Sequence, residues 1–339
     1  MTVDAVQRRP AQAAVRRRVS VARVLAVSGV ALLGYEAWTL AGWLGDGPHQ
    51  ITGYRTHGST AWYAARAAEL VVLLSTGAFA VHALRALRRT RRLSIDMALI
   101  IGMTTAAFWD PVYNWVRPAW LYSSDFLNVN DWLRHAPGIL NPDAGRMPWP
   151  IVIVLVGYPL WGVGFAALVN RVMAAVRHRR PSVSGGELMA VAFLTAGLIT
   201  AGAFTAFAAL GLMDAPGYRV AFLGNSQPLF FAYSGGLVFG GLACLRWFRD
   251  RHGRALFEQG PDPALAPHEG TKILAAIATC QIIVIVGWGV LTVPFSLLSS
   301  PYPRTAPDLV NGLCNTPGVT GTSYGPCPGS PGVRRASPP

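Results

Sequence analysis

Long apolar stretches alternate along this chain with short clusters of arginine. Seven such stretches run over roughly 20–44, 61–84, 94–116, 149–173, 187–213, 219–245 and 272–298, and each is near the about 20 residues a helix needs to cross about 30 Å of hydrocarbon. The pattern predicts an all-α fold: a polytopic integral membrane bundle of about seven transmembrane helices. Three parts follow: a basic arm over 1–19, a transmembrane domain over 20–299, and a Pro/Gly-rich tail over 300–339. The first apolar run follows a basic arm, as in a signal peptide. It is longer than an ordinary signal core and has no small-residue cleavage site, so it reads as a retained helix.

Composition agrees. Of the 339 residues 52% are hydrophobic and 13% charged, against about a quarter charged in soluble proteins. The net charge of +13 therefore concerns membrane orientation before nucleic acid, which is not an expected partner. Twenty of the 29 basic residues fall in the arm and first helix start, in 85–92, in 171–180 and in 246–272, all on one side of a seven-span path. Translocation disfavours cationic loops, so the N-terminus is predicted cytoplasmic and the tail outside, in a multi-pass protein of the cell membrane. All but one of the basic residues are arginine, Lys272 being the exception. With abundant Ala, Gly and Val this suggests GC-rich coding DNA, as in actinobacteria. On the outer side Cys314 and Cys327 have a candidate pairing, whereas Cys244 and Cys280 fall inside spans as packing residues.

Several membrane chemistries are argued against by residue type. A retinal Schiff base needs a lysine deep in a span, and Lys272 sits at a helix start. No two of the seven histidines fall within five residues of one another, and His82 alone lies within a span, which speaks against di-iron and haem sites. There is no Walker loop, no His-Glu-x-x-His and no Cys-x-x-Cys. No cofactor and no metal are expected, and the short loops leave chemistry to the helices and their connections.

Ionisable residues in hydrocarbon cost a few kcal/mol and are functional candidates by default. Glu36, Glu69 and Asp110 lie about eight, eight and six residues from the outer ends of the first three spans, or roughly 12, 12 and 9 Å deep at 1.5 Å per residue. Although successive helices run in opposite directions, all three reach one layer. Tyr113, Asn114, Tyr158, Asn225 and Gln227 arrive at the same depth. The plainer reading is helix glue, with Arg66 as the nearby cation. Burial and like-charge repulsion favour the protonated form of crowded carboxylates, however, and a protonated carboxyl is a general acid. Asp110 and Glu69 are the predicted acid and base in either order, with Glu36 tuning them and Tyr113, Asn114, Tyr158 and Asn225 orienting substrate hydroxyls. Asp96, at a cytoplasmic helix start near Arg91 and Arg92, reads as structural. Pro111 directly follows Asp110 and predicts a kink or early end of the third helix.

The outer loop over 117–148 carries Asp125, Asp131 and His135 among Trp120, Tyr122, Phe126 and Trp132. It is a candidate substrate-binding lid. The alternative is an amphipathic helix over about Ser124–Arg134 lying on the bilayer surface.

The segments WDPVYNW (109–115), SSDFLNVNDWLRHAPG (123–138), NPDAGRMPWP (141–150) and GNSQPLF (224–230) resemble the spirocyclase AveC family of actinobacterial membrane proteins. The resemblance implies spiroketal formation in avermectin-, milbemycin- and meilingmycin-type macrolide biosynthesis, in some members with dehydration of the ring. The implied partner is a hydrophobic polyketide macrolactone reached from the bilayer. Spiroketal formation calls for a general acid, a base and control of the attacked face, which an acidic membrane pocket can supply. The rival reading is a proton-coupled transporter of a hydrophobic metabolite. Transporters usually show internal repeats and acids along a path, whereas these acids gather in one layer.

Overall fold

The computed structural model describes residues 20–51, 58–91, 93–116, 119–141, 144–145, 147–215, 219–220, 224–225, 227–260, 267–290 and 292–294. Seven helices are long and apolar enough to cross a membrane: Val21–Asp46, Thr60–Arg89, Ile95–Asn114, Leu160–Arg179, Gly185–Ala209, Pro228–Trp247 and Glu269–Pro294. The basic arm and the tail with Cys314 and Cys327 lie outside the described residues. The predicted sixth span begins later than expected, because Arg219–Val220 (β5) and Gly224–Asn225 (β6) form a short antiparallel pair before helix α6 (Gln227–Gly235).

Serine caps start four of the spans. Helices α1 (Val21–Asp46), α2 (Thr60–Thr90), α3 (Ile95–Ala106) and α5 (Gly185–Ala209) follow Ser20, Ser59, Ser94 and Ser184, each hydroxyl accepting an N–H of the first turn. Such caps satisfy donors the helix leaves open, and Ser184 with Glu187 completes a capping box. Helix α8 (Glu269–Val284) packs between α1 and α3, and α5 packs on α6. Small residues allow these approaches. A Cβ at Gly102 would stand 2.6 Å from Cys280 Sγ and 2.8 Å from the Ala276 carbonyl oxygen, so Cys280 is indeed a packing residue, fully buried on α8.

On the arginine-rich side, Arg246 at the end of α7 (Gly241–Trp247) grips Asp96 at 2.5 and 2.8 Å and reaches Asn170 Oδ1 at 3.0 Å. Asp96 is structural, as expected, but its ion-pair partner is Arg246 and not the neighbouring arginines. Lys272 pairs with Glu258 at 2.6 Å and donates to the Leu93 carbonyl at 2.8 Å. These contacts tie the 248–259 connection under α1, α3 and α8.

The loop over 117–148 is folded where it is described, and the surface helix expected as an alternative over Ser124–Arg134 is absent. Instead β1 (Leu121–Tyr122) pairs with β4 (Met213–Asp214), and β2 (Asn128–Asn130) pairs with β3 (Pro148–Pro150). Asparagines set against backbone explain the strand. Asn128 accepts the Ile51 N–H at 3.0 Å and donates to the carbonyls of Ser124 and Phe126 at 3.0 and 2.9 Å, while Asn130 accepts the His49 N–H at 2.9 Å. A helix would forfeit all four, since Asn competes for backbone groups in non-helical conformations. Trp120, Phe126 and Trp132 are buried, so the loop is a plug seated in the bundle.

Where the spans meet this plug they leave regular α geometry. The third span tightens after Ala106 into a 3-10 segment, Ala107–Asn114, around Pro111, which cannot donate and crowds the preceding turn. The freed Phe108 carbonyl accepts the Trp132 indole N–H at 3.1 Å. In or just before three other spans the helix widens into π turns, Ile151–Val156, Leu160–Gly164, Gly236–Gly240 and Ile285–Gly289. Pro159 and the glycines make that change cheap. The carbonyls it frees find donors inside the protein, as they must in lipid: Trp161 Nε1 reaches the Ile153 oxygen at 3.0 Å and Thr76 Oγ1 the Val156 oxygen at 3.1 Å.

Candidate functional site

These irregular turns surround one partly open cavity of about 80 Å³. Its walls come from α3 and the 3-10 segment (Met103, Asp110, Tyr113), from β1 (Tyr122), from the π segments (Val154, Trp161, Val238, Phe239, Trp288) and from α5 (Phe204, Phe207). Each of the four π segments contributes a lining residue. Widened turns of this kind recur at functional sites, and here they make room inside helices that would otherwise close on one another.

Asp110 supplies the cavity's carboxyl. It is 2% exposed and accepts the Tyr158 hydroxyl at 3.1 Å and the Tyr122 hydroxyl at 3.1 and 3.2 Å. The rest of the wall is aliphatic or aromatic. Two phenols and a carboxyl set in a greasy wall match the usual chemistry of a small-molecule site, mostly apolar with a few convergent polar groups. Such a set can hand a proton to a substrate oxygen and take one back. Tyr113, also in the wall, stacks on Trp120 at 4.7 Å.

The other sequence candidates occupy different positions. Glu69 pairs with Arg66 at 2.9 Å and accepts the Leu127 N–H at 2.6 Å, while Arg66 also donates to the Asp125 carbonyl. Glu69 thus pins the plug to α2. Glu36 accepts the Trp109 indole N–H at 3.0 Å, and Gln281 shares that donor at 3.2 Å, joining α1, α8 and the 3-10 segment. Neither glutamate lines the cavity. Asn114 spends its side chain on backbone, accepting from Ala119 and Trp120 at 2.7 and 2.9 Å and donating to the Trp120 carbonyl at 2.9 Å. It positions the strand that delivers Tyr122.

Asp131 is buried in the plug and accepts the N–H groups of Leu133, Gly145 and Met147 at 2.9, 3.1 and 3.0 Å. Burial outweighs these bonds and pushes its carboxyl up to about 6. The Asp125 side chain meets the Ser123 hydroxyl at 3.4 Å. His135 faces Asp46 at the end of α1 at 3.1 Å, away from the cavity. Asn225 lies on β6 opposite Arg219, and its side chain is outside the described set.

A family model for AveC-like spirocyclases matches residues 90–308. The chain belongs to this family. The matched stretch contains every lining residue of the cavity, and with it Asp110, Tyr122 and Tyr158. Membership supports a spirocyclase role in polyketide biosynthesis. No curated protein and no solved structure matches the chain. For a spirocyclase, sequence reasoning missed Tyr122 as a partner of Asp110, together with the aromatic wall of Trp161, Phe204, Phe207, Phe239 and Trp288. The available signal was glycine beside aromatics within spans: Gly157 and Gly162 around Trp161, Gly240 after Phe239, and Gly287 and Gly289 around Trp288.

Proposed function

We propose that this protein closes a dihydroxyketone polyketide macrolactone into a spiroketal, using Asp110 as both acid and base in turn. The observation that carries the reading is the single buried carboxyl held by two phenols in an otherwise apolar cavity. One substrate hydroxyl adds to the ketone, and its proton ends on the former carbonyl oxygen, giving a hemiketal. Asp110 then protonates that hydroxyl, which leaves as water, and an oxocarbenium ion remains. The second hydroxyl attacks the cation and its proton returns to the Asp110 carboxylate, so one water is lost and the enzyme is restored. Tyr122 and Tyr158 donate to the carboxylate while it is charged, which is when such bonds are strongest. The aromatic wall faces the cation and fixes which side the second hydroxyl attacks.

Glu69 and Glu36 support this site in the proposal by holding the plug and the 3-10 segment. The N-terminus is placed in the cytoplasm and the cavity toward the outer half of the cell membrane; reporter fusions putting residue 180 outside would reverse that placement. Purified protein in liposomes, given an open dihydroxyketone macrolactone, should release one water per substrate with no nucleotide or gradient. Loss of a second water would measure ring dehydration. Movement of unchanged substrate across the vesicle, driven by a proton gradient, would instead favour transport.

A further inference from the structure

Asp110 borders a second, smaller cavity on its other side. This one is lined by Asp110, Pro111, Asn114, Trp120, Asp131 and Trp149, among others, and has room for about one water molecule. It lies between the 3-10 segment and the plug, so it joins the site's carboxyl to the Asp131 carboxyl, two groups that sequence gave no reason to connect.

Its walls hold donors with nothing to bind. The indole N–H groups of Trp120 and Trp149 are buried, at 1% and 5% residue exposure, and have no hydrogen-bond partner among the described residues. Trp149 reaches toward Asp110 without closing a bond of ordinary geometry. An indole N–H buried unsatisfied costs about 1–3 kcal/mol, and two beside one small polar cavity call for a shared acceptor. An enclosed water is held by about two to four polar partners. Two indole donors and two carboxylates meet that requirement, and an apolar occupant of the same size would not.

We propose that this cavity seats a water molecule bridging Asp110 to Asp131, through which the Asp110 proton exchanges with the outer face while substrate fills the main cavity. The proposal rests on Asp110 being the proton carrier of the cyclase reading. A carboxyl that must be protonated when the hemiketal breaks down needs a route to a proton that bypasses the apolar chamber. Asp131 suits the far end of that route because it is the other carboxyl lining this cavity and is fixed in the plug by three backbone N–H groups, and burial pushes its carboxyl up to about 6.

The test needs no turnover, so its failure is separate from that of the cyclase reading. The carboxyl stretch of Asp110 is identified in the infrared at acid pH as the band missing from Asp110→Asn. The main cavity is then filled with a bicyclic spiroketal lacking hydroxyls, and solvent is switched to D2O. The expected result is a band that still shifts in the filled protein, with exchange slowed about tenfold in Trp149→Phe, the weight of roughly one hydrogen bond to the water. Trp149→Phe keeps the ring and its packing, and Trp120→Phe gives an independent second variant. A band that stops shifting when the cavity is filled, or exchange unchanged in both variants, would overturn the proposal.

Discussion

Asp110→Asn is the sharpest perturbation of the site because the structure lets the amide take the carboxyl's place. Asp110 Oδ1 accepts both tyrosine hydroxyls, at 3.1 Å each, and an amide oxygen can keep both bonds while its NH2 turns to the Tyr122 oxygen. Folding should survive, and the titrating proton alone is removed. General acid–base catalysis contributes about 10²–10⁴-fold, which is about 3–5 kcal/mol of barrier, and turnover should fall by that factor. Tyr158→Phe offers an internal scale. It removes one bond to a charged acceptor, worth about 1.5–3 kcal/mol, so its loss should be about 10–150-fold, between wild type and the amide. Spiroketals also close spontaneously, so total product is a poor measure. The assay is therefore initial rate with the spiro-centre isomers resolved, on protein whose thermal unfolding matches wild type. Asp110→Asn at wild-type rate and isomer ratio would refute the single-carboxyl mechanism and return attention to Glu69 and Glu36.

Three further outcomes follow from the packing. Glu69→Gln keeps the acceptor for Leu127 but breaks the 2.9 Å pair with partly exposed Arg66; unfolding should lose about 1 kcal/mol after allowing for solvent screening, while turnover changes less than about tenfold, far less than in Asp110→Asn. Asp131 binds its proton more tightly folded, up to about 6 against an ordinary 3.8, so its stabilisation is full below about pH 4 and disappears as pH rises through about 6, a change of about 3 kcal/mol; hydrogen exchange over 128–150 should show the plug loosening across that window, and Asp131→Asn should flatten the dependence. Gly102→Ala should lower folded yield because its Cβ meets Cys280 Sγ at 2.6 Å, and Cys280→Ala in the same chain should restore part of it, as read by size-exclusion chromatography in detergent.

Span number and the structural role of Asp96 were legible in the sequence, because a bilayer imposes length and charge rules on any helix that crosses it. Asp110 and Tyr158, set in one layer by the depth argument, do meet. Depth could not separate Asp110 from Glu36 and Glu69, because it says nothing about rotation around a helix axis, and rotation is what puts Asp110 in the cavity and Glu69 against Leu127. Tyr122 was hidden for another reason. It reaches Asp110 through strand pairing with Met213, some 90 residues on, and two-residue strands leave no periodicity to read.

The π turns around the cavity bear on how this site can change over generations. Each closes its bonds one residue later than an α turn, so each span there holds one residue more than a plain helix of equal length. Deleting a single codon in such a segment lets the helix relax to α geometry and draws its wall inward. Chamber size is thus encoded partly as chain length, in small steps that leave every aromatic side chain in place. A lineage could resize the compound it folds around by gaining or losing one residue, without inventing a new wall.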